Sequence, residues 1–563
     1  MIRILSCLLL VLLVTGCTDI QTAGPVQEVP LGPEQLGVQI APEPPQPGVS
    51  PVRLVEGFVQ AMADSEADYA VAREYLTSQA SKEWVPQDGG VVYKGVVGED
   101  GDAVFVTGTR TGVLDERGRF TAVSDELVHD FGVVMVDGEW RISAPPAGLL
   151  VSDYIFERYW SHATVYFMAS GGEHVVPDVV HVPDAYLTPS RIVEAQIAGP
   201  GDAIAGSVYN AIGSGVRLAA EGASVDATGT ATVALTGLSE DMPDDRRRQL
   251  GAQLLWSLTA IPRVTGLRIT NDGENFALPG QAADGVLQLA LQQGFQQLSR
   301  AATSDLFGVR DGVAGRIGPA ESFLPMSSGD KKVAEVAVSV DATLVGFIDQ
   351  PRTQLMVGPL GGQLTEVPTE WSNLRSAQFS LGHLWVIGDD DAGRTGILRV
   401  DAQGTVTVVD AGSVPGAIVD FSITQAGVRI GMVVERSGAR RLVMGSLVQD
   451  TTLRLESVME VPLVFTMGAR LTGYRSLDWS GEVELGVVAD SSSGTSVFRA
   501  LLDGSGVEDL GPLSETPAQL TALPRLSSDA VVVRAADGSV LRYDVTSRWS
   551  RMKLQLEEVS YPG

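Results

Sequence analysis

Cysteine is nearly absent from this 563-residue chain, where Cys7 and Cys17 are the only two. Cys7 lies in an apolar leader, so once Cys17 is modified neither a free thiol nor an internal disulfide remains, which excludes thiol catalysis and thiolate metal sites. An exported protein with large cores needs no such staples. Basic residues are scarce as well: 40 Lys and Arg against 69 Asp and Glu give a formal charge of −29. A phosphate backbone would be repelled over most of such a surface, so nucleic acid is not an expected partner. An anionic lipid surface offers no attraction either, and holding this chain at a membrane needs a lipid chain rather than a basic patch. After the first 16 residues no apolar run is long enough to read as a membrane span.

Reactive motifs are missing too. The chain has no Gly-x-Ser-x-Gly elbow, no Walker loop and no His-Glu-x-x-His zinc helix. Of its five histidines (His129, His162, His174, His181 and His383), only His174 and His181 form a close pair. With Pro177 between them and no third ligand at a defined spacing, they read as surface or strand histidines. Asp389-Asp390-Asp391 with Gly393 has the carboxylates of a calcium loop but lacks its terminal bidentate acid, and reads as an acidic hairpin tip. Arg246-Arg247-Arg248 has the donors to hold an anion, but a solvated helix face partnered by Asp244 and Asp245 is the preferred reading. Trp256, Trp371, Trp385 and Trp479 have the rings to stack sugars; their apolar neighbours point to core packing. No catalytic residue, cofactor or metal site is therefore assigned, and the protein is not expected to be an enzyme.

What is present begins with a leader. Arg3 supplies a positive charge, and Ile4 to Val14 is an apolar stretch interrupted only by Ser6 and Cys7. It is too short to span a bilayer and stops at Thr15-Gly16-Cys17, where small residues suit a peptidase cleft. Residues 1–16 read as a signal peptide, and their removal takes the charge to −30 by loss of Arg3. Val14-Thr15-Gly16-Cys17 resembles the bacterial lipobox, which implies that the Cys17 sulfur receives diacylglycerol and the new amino terminus an acyl chain. More than one chain gives stable anchoring where a single one is marginal. Localisation at the cell membrane, on its extracytoplasmic side, follows. Residues 17–51 then carry eight prolines, four acidic residues and no Lys or Arg. Proline favours extended chain, so this segment reads as a tether reaching roughly 100 Å at full stretch, with a proline-recognition motif as the alternative.

Three folded regions follow, so the fold class expected is multidomain, two α+β domains and then an all-β propeller. Residues 52–150 open with Leu54, Val55, Phe58, Val59 and Met62 at helical spacing, then pass through strand runs separated by Asp100-Gly101 and Asp137-Gly138, and end at Pro145-Pro146. Helices first and a curved antiparallel sheet after them resemble the NTF2-like fold, whose pocket binds a ligand or is filled by side chains. Residues 158–282 start with the strand at His162 to Phe167. They include a helix after Ser239, with Pro243 in its first turn, acids at its start, and Leu250, Leu254, Leu255, Leu258 and Ile261 on one face. With Val182-Pro183, the Thr188 to Ile197 helix and Ala260-Ile261-Pro262, this order resembles the GerMN domain. In residues 306–563 short strands alternate with glycine turns. Measured at Ser339, Ser380, Ser422, Ser480 and Ser527, similar strand pairs recur every 41, 42, 58 and 47 residues. A period near 40–45 marks a β-propeller, with Asp503-Gly504 and Asp537-Gly538 as reversals of outer strands; a two-sheet β-sandwich is the competing architecture.

Lipobox, proline tether, NTF2-like unit, GerMN-like unit and propeller-like tail, in that order over essentially the full length, resemble the LpqB family of envelope lipoproteins. The resemblance implies a non-enzymatic accessory protein that binds the extracytoplasmic domain of a sensor histidine kinase (MtrB-like) and modulates phosphorylation of the MtrA response regulator, and so cell-wall homeostasis and division. Only Cys17 maps onto a family functional position. A wall-glycan hydrolase using propeller carboxylates and a receptor using the NTF2-like pocket are the other readings. Mass spectrometry of the native protein checks the anchor: the first residue is expected to be Cys17 carrying a diacylglyceryl thioether, and a bare thiol there overturns the reading.

Overall fold

Pro51 at the first turn of an amphipathic segment, with the Ser50 side chain accepting from the Arg53 N–H, starts helix α1 (Pro51–Ala61). The computed structural model describes residues 42–64, 66–101, 103–295, 303–465, 469–523, 530–543 and 548–563; Cys17, the leader and most of the tether lie outside the described residues. Helix α1, with α2 (Glu66–Glu74) and α3 (Ser78–Glu83), packs on a sheet of β1 (Gly90–Asp100), β2 (Ala103–Leu114) and β3 (Phe120–Asp130), beside the hairpin β4 (Val133–Val136) and β5 (Glu139–Ile142). The sheet does not stop at Pro145-Pro146: β6 (Leu149–Ser152) pairs in parallel with β1 and leads into α4 (Asp153–Tyr159). The tether reading also ends early, because the Tyr75 hydroxyl donates to the Glu43 carbonyl at 2.6 Å and Val49 packs on the first core. Phe58 fills the space between helices and sheet, with ring centroids 5.5 Å from Trp84, 6.2 Å from Phe131 and 6.4 Å from Tyr75.

In the second region β7 (Trp160–Ala169) pairs on one side with β8 (Val175–Pro183) and on the other with β9 (Val208–Tyr209). A second sheet runs through β10 (Arg217–Val225), β11 (Thr230–Thr236) and β12 (Gly266–Asn271), the last two parallel. Helices α5 (Pro189–Ile197) and α6 (Asp244–Leu258) lie where the sequence places them, except that Pro243 precedes α6 instead of opening its first turn. They are locked by a buried amide: Gln196 Nε2 donates to the carbonyls of Tyr166 and Gln253 and to Ser257 Oγ. No helix among the described residues is long and apolar enough to cross a membrane.

The third region is a propeller of six four-stranded blades among the described residues. The innermost strands of blades 1 to 5 are Val333–Val338, Ser372–Ser380, Ala417–Ile423, Thr472–Trp479 and Pro517–Leu523. Blade 6 is closed from both ends of the region: Leu306–Arg310 pairs with the final strand Glu558–Ser560, which is innermost. The irregular 58-residue step has two causes. Ser422 lies inside its strand, and Thr424 is the turn residue that matches Ser339 and Ser480, since each of the three closes its hairpin by an N–H bond to the second strand. The hairpin Val464–Phe465 with Ala469–Arg470 is also inserted between blades 3 and 4. Asp537-Gly538 joins the second and third strands of blade 5, not the outer pair.

Around the axis, each innermost strand gives a side-chain oxygen to a backbone N–H of the next. Glu335 accepts from Ala377, Gln378 from Ile423, Asp420 from Leu477, Asp478 from Ala522 and Gln519 from Val559, at 2.7–3.4 Å. Glu558, held by the backbone of Val336, completes the ring. Burial pushes Asp420 and Asp478 up to about 6, against the hydroxyls and N–H groups that pull them down. A carboxyl raised in the folded state stabilises most below its unfolded value and loses that contribution as pH rises through 6, about 3 kcal/mol in full for such a shift. Asp478→Ala is therefore expected to lower stability most near pH 4, with a smaller gap from wild type at pH 7.5, read from denaturant unfolding at both pH values. A gap that widens with pH contradicts the assignment.

Candidate functional site

Pro177 lacks an N–H and so belongs on a sheet edge, which is where β8 lies in the order β8-β7-β9. An uncovered edge is a liability. Here Val175 to Val182 are all buried, because the other two regions close over the strand. From the first region comes the β2–β3 turn, capped by Asp115 Oδ1 accepting from the Arg117 and Arg119 N–H groups. Gly118 in that turn has φ +82° and accepts at its carbonyl from the His181 N–H at 2.7 Å; a Cβ there would lie 2.4 Å from the His181 oxygen. Beside it, Arg119 Nε donates to Asp178 Oδ2 at 3.2 Å.

From the propeller comes Arg429, whose Nη2 donates to Asp178 Oδ1 at 3.0 Å and whose Nη1 donates to the Pro177 carbonyl. The Gly201 N–H adds a further donor to Asp178 at 2.9 Å. The Arg429 and Asp178 side chains are only 5% and 8% exposed. Burial pulls the Arg429 guanidinium below its ordinary value, and Asp178 and Asp503 oppose that. Next along β8, His181 Nε2 lies 2.7 Å from Asp503 Oδ2, with its ring against Phe120 and Phe156 at centroid distances of 5.6 and 5.0 Å. Burial alone would raise Asp503; the hydrogen bond and charge of His181, with Ser505, outweigh it and hold the carboxyl below its usual range. That contribution is present above the ordinary carboxylate range and lost as pH falls through the depressed value. Two more contacts belong to the joint: His174 Nε2 lies 2.7 Å from the Ala426 carbonyl, and the Tyr166 hydroxyl donates to Glu482.

His174 and His181, read as surface or strand histidines, are both buried in the joint, and His181 does stand in a strand. Asp503, read only as a turn residue, is its partner; the signals for this pairing lie 322 residues apart. Asp390 sits at a hairpin tip as expected, accepting from the Ala392 and Arg394 N–H groups. The arginine run is not a solvated face throughout. Arg246 lies over the Tyr209 ring and Arg247 over Phe276, each also donating to carbonyls of neighbouring loops, and only Arg248 pairs with Asp245. Trp256, Trp385 and Trp479 are buried and each donates its ring N–H to a carbonyl, of Gln292, Ser380 and Ser422; Trp371 is half-buried against the glycines of blade 2. Among the described residues no group of three or more His, Cys, Asp or Glu side chains could hold a metal ion.

Profiles for known families match the three regions in turn: "Lipoprotein LpqB, N-terminal domain" over residues 44–157, "Sporulation and spore germination" over 164–276 and "Lipoprotein LpqB beta-propeller domain" over 315–562. Lipoprotein LpqB of Cutibacterium acnes is 30% identical over 96% of this chain and 95% of its own length. The protein of the same name from Streptomyces avermitilis is 25% identical over 98% and 96%, and that from Mycolicibacterium smegmatis 28% over 76% and 77%. Among solved structures, a nidogen/laminin complex matches 46% of this chain and 99% of its own at 11% identity and TM-score 0.34, and TolB from Acinetobacter baumannii matches 49% and 70% at 15% and 0.33. Likenesses that weak carry no argument here.

Breaking the joint tests its weight. Asp178→Ala strands two buried guanidinium groups and is expected to cost about 3–5 kcal/mol. In calorimetry the variant should melt earlier and in more than one transition. An unchanged single transition would show that the ion cluster does not couple the three regions.

Proposed function

This chain belongs to the LpqB family of lipoproteins, and from that membership we propose that it is a lipid-anchored accessory protein on the extracytoplasmic side of the cell membrane that acts by binding, without catalysis. Its partner in this reading is the extracytoplasmic domain of an MtrB-type sensor histidine kinase, through which it modulates phosphorylation of the MtrA response regulator and so cell-envelope homeostasis and division. Cys17 is the lipidated residue. The observation that carries the reading is the joint at β8: buried ion pairs and hydrogen bonds fasten the N-terminal region and the propeller to the same strand. A body fastened in this way meets a partner with its surfaces already in place and little ordering left to be done on binding.

Two features weigh against the other readings. The axial carboxyls Asp420 and Asp478 already accept hydrogen bonds from both neighbouring strands, which suits a structural role. The NTF2-like interior, where a receptor would hold its ligand, is occupied by Phe58, Trp84 and Phe131.

The test is capture in solution. Protein lacking residues 1–16 should bind the purified extracytoplasmic domain of the kinase in a saturable isotherm. No binding at high micromolar concentration of both partners refutes the kinase as partner. Turnover of labelled peptidoglycan by the same preparation would instead favour an enzyme.

A further inference from the structure

The joint occupies the propeller face where innermost strands end, at Ala426, Glu482 and Asp503. The opposite face, where those strands begin, carries a cleft of about 610 Å³ between blades 3, 4 and 5. Its walls follow from local sequence. Ser437 and Gly438, both with positive φ, make a two-residue hairpin turn that sets Glu435, Arg440 and Arg441 along one rim. Arg470, on the inserted hairpin, and Arg475, on the innermost strand of blade 4, stand on the other. Gly473 between them has φ +56°, and a Cβ there would meet the Asp490 carboxylate at 2.1 Å, so only glycine lets that acid sit against the backbone.

Four guanidinium groups therefore converge in a chain of net charge −29. They share three carboxylates. Arg440 pairs with Glu435 at 3.0 Å and Arg475 with Asp490 at 3.1 Å, while Arg441 and Arg470 both fall on Glu460. Burial and the nearby Arg441 charge pull the Arg470 guanidinium below its ordinary value, and Tyr474 opposes them. One donor is also left over: Arg475 Nε has no hydrogen-bond partner among the described residues. The four side chains remain 33–44% exposed, so their heads can be reached from solvent.

We propose that this cleft is a binding site for a phosphoryl group of a soluble anion, held by Arg440, Arg441, Arg470 and Arg475. Arginine presents a planar fork that grips oxyanions through paired N–H bonds. A phosphoryl group brings close to two charges and three acceptor oxygens, which meets the excess of donors better than one more carboxylate. Glu460 is the internal competitor, since it occupies two guanidinium groups that the ligand would otherwise take. The inference is independent of the kinase reading.

Calorimetric titration of protein lacking residues 1–16 with inorganic pyrophosphate tests it. One saturable site is expected, weakened tenfold or more by Arg470→Ala with Arg475→Ala and strengthened severalfold by Glu460→Gln. That gain is something a purely structural role for Glu460 does not produce. The melting temperature of each variant separates lost binding from lost folding. Absence of binding at millimolar pyrophosphate overturns the proposal, as does binding that none of the substitutions moves. So does binding confined to phosphatidylglycerol vesicles with none to free pyrophosphate, which would place the anion on a membrane instead.

Discussion

Asp178 is a carboxylate that cannot be buried alone, and the arrangement of the whole body follows from how it is satisfied. Its three donors come from three places: Arg119 on a hairpin of the N-terminal region, Gly201 beside the strand's own sheet, and Arg429 on blade 3. Each arginine in turn is buried and needs that acid. Domains within a chain move against one another by default when their contact is small and wet. Here separating either outer region from β8 would break an ion pair to Asp178 and the hydrogen bonds around it. The edge of β8 makes the same demand through its backbone, because the outward N–H of His181 is met by Gly118 of another region.

The propeller applies the same rule to its axis with hydrogen-bond donors in place of counter-ions. Side-chain oxygens of Glu335, Gln378, Asp420, Asp478 and Gln519 satisfy backbone N–H groups of the neighbouring blade, so ring closure is written into single residues of the innermost strands. Among the described residues no arginine is paired with Asp420 or Asp478, and burial raises both. Glu558 is driven up as well, by burial and by Glu335 close by. At the joint guanidinium groups pair with the acid; on the axis hydroxyls and N–H groups take their place. One residue type therefore serves as an ion-paired bolt in one place and a hydrogen-bond latch in the other, and the partner decides which.

Local signals in the sequence were readable and long-range ones were not. The periodicity of Leu54, Val55 and Phe58 and of Leu250, Leu254 and Leu258 reports burial on one helix face, which needs only neighbours three and four residues away. The propeller period was visible for the same reason: each blade repeats a local hairpin pattern. It blurred at Ser422, because serine serves both inside an inner strand and at its turn, and because an inserted hairpin lengthens the next step. Arg119, Arg429 and Asp503 gave no sign of their roles. A turn arginine and a turn aspartate look alike whether they face solvent or a strand hundreds of residues away. Pro177 was the one available clue, since a proline inside a valine run marks an edge that something must cover.

The tether shows where composition misleads. Eight prolines without a single Lys or Arg describe a spacer by content, yet content does not say where a spacer stops. Proline excludes helix interior and central strand, but it leaves the carbonyl free to accept and the extended chain free to lie against a surface. The body uses both openings: Tyr75 donates to the Glu43 carbonyl, Val49 joins the first core, and Ser50 with Pro51 starts the first helix. The hydroxyl that reaches Glu43 belongs to the same Tyr75 ring that packs on Phe58, so the end of the tether is fixed by the packing of the first core. The stretch able to act as a spacer is shorter than its composition suggests by the whole segment from residue 42 onward.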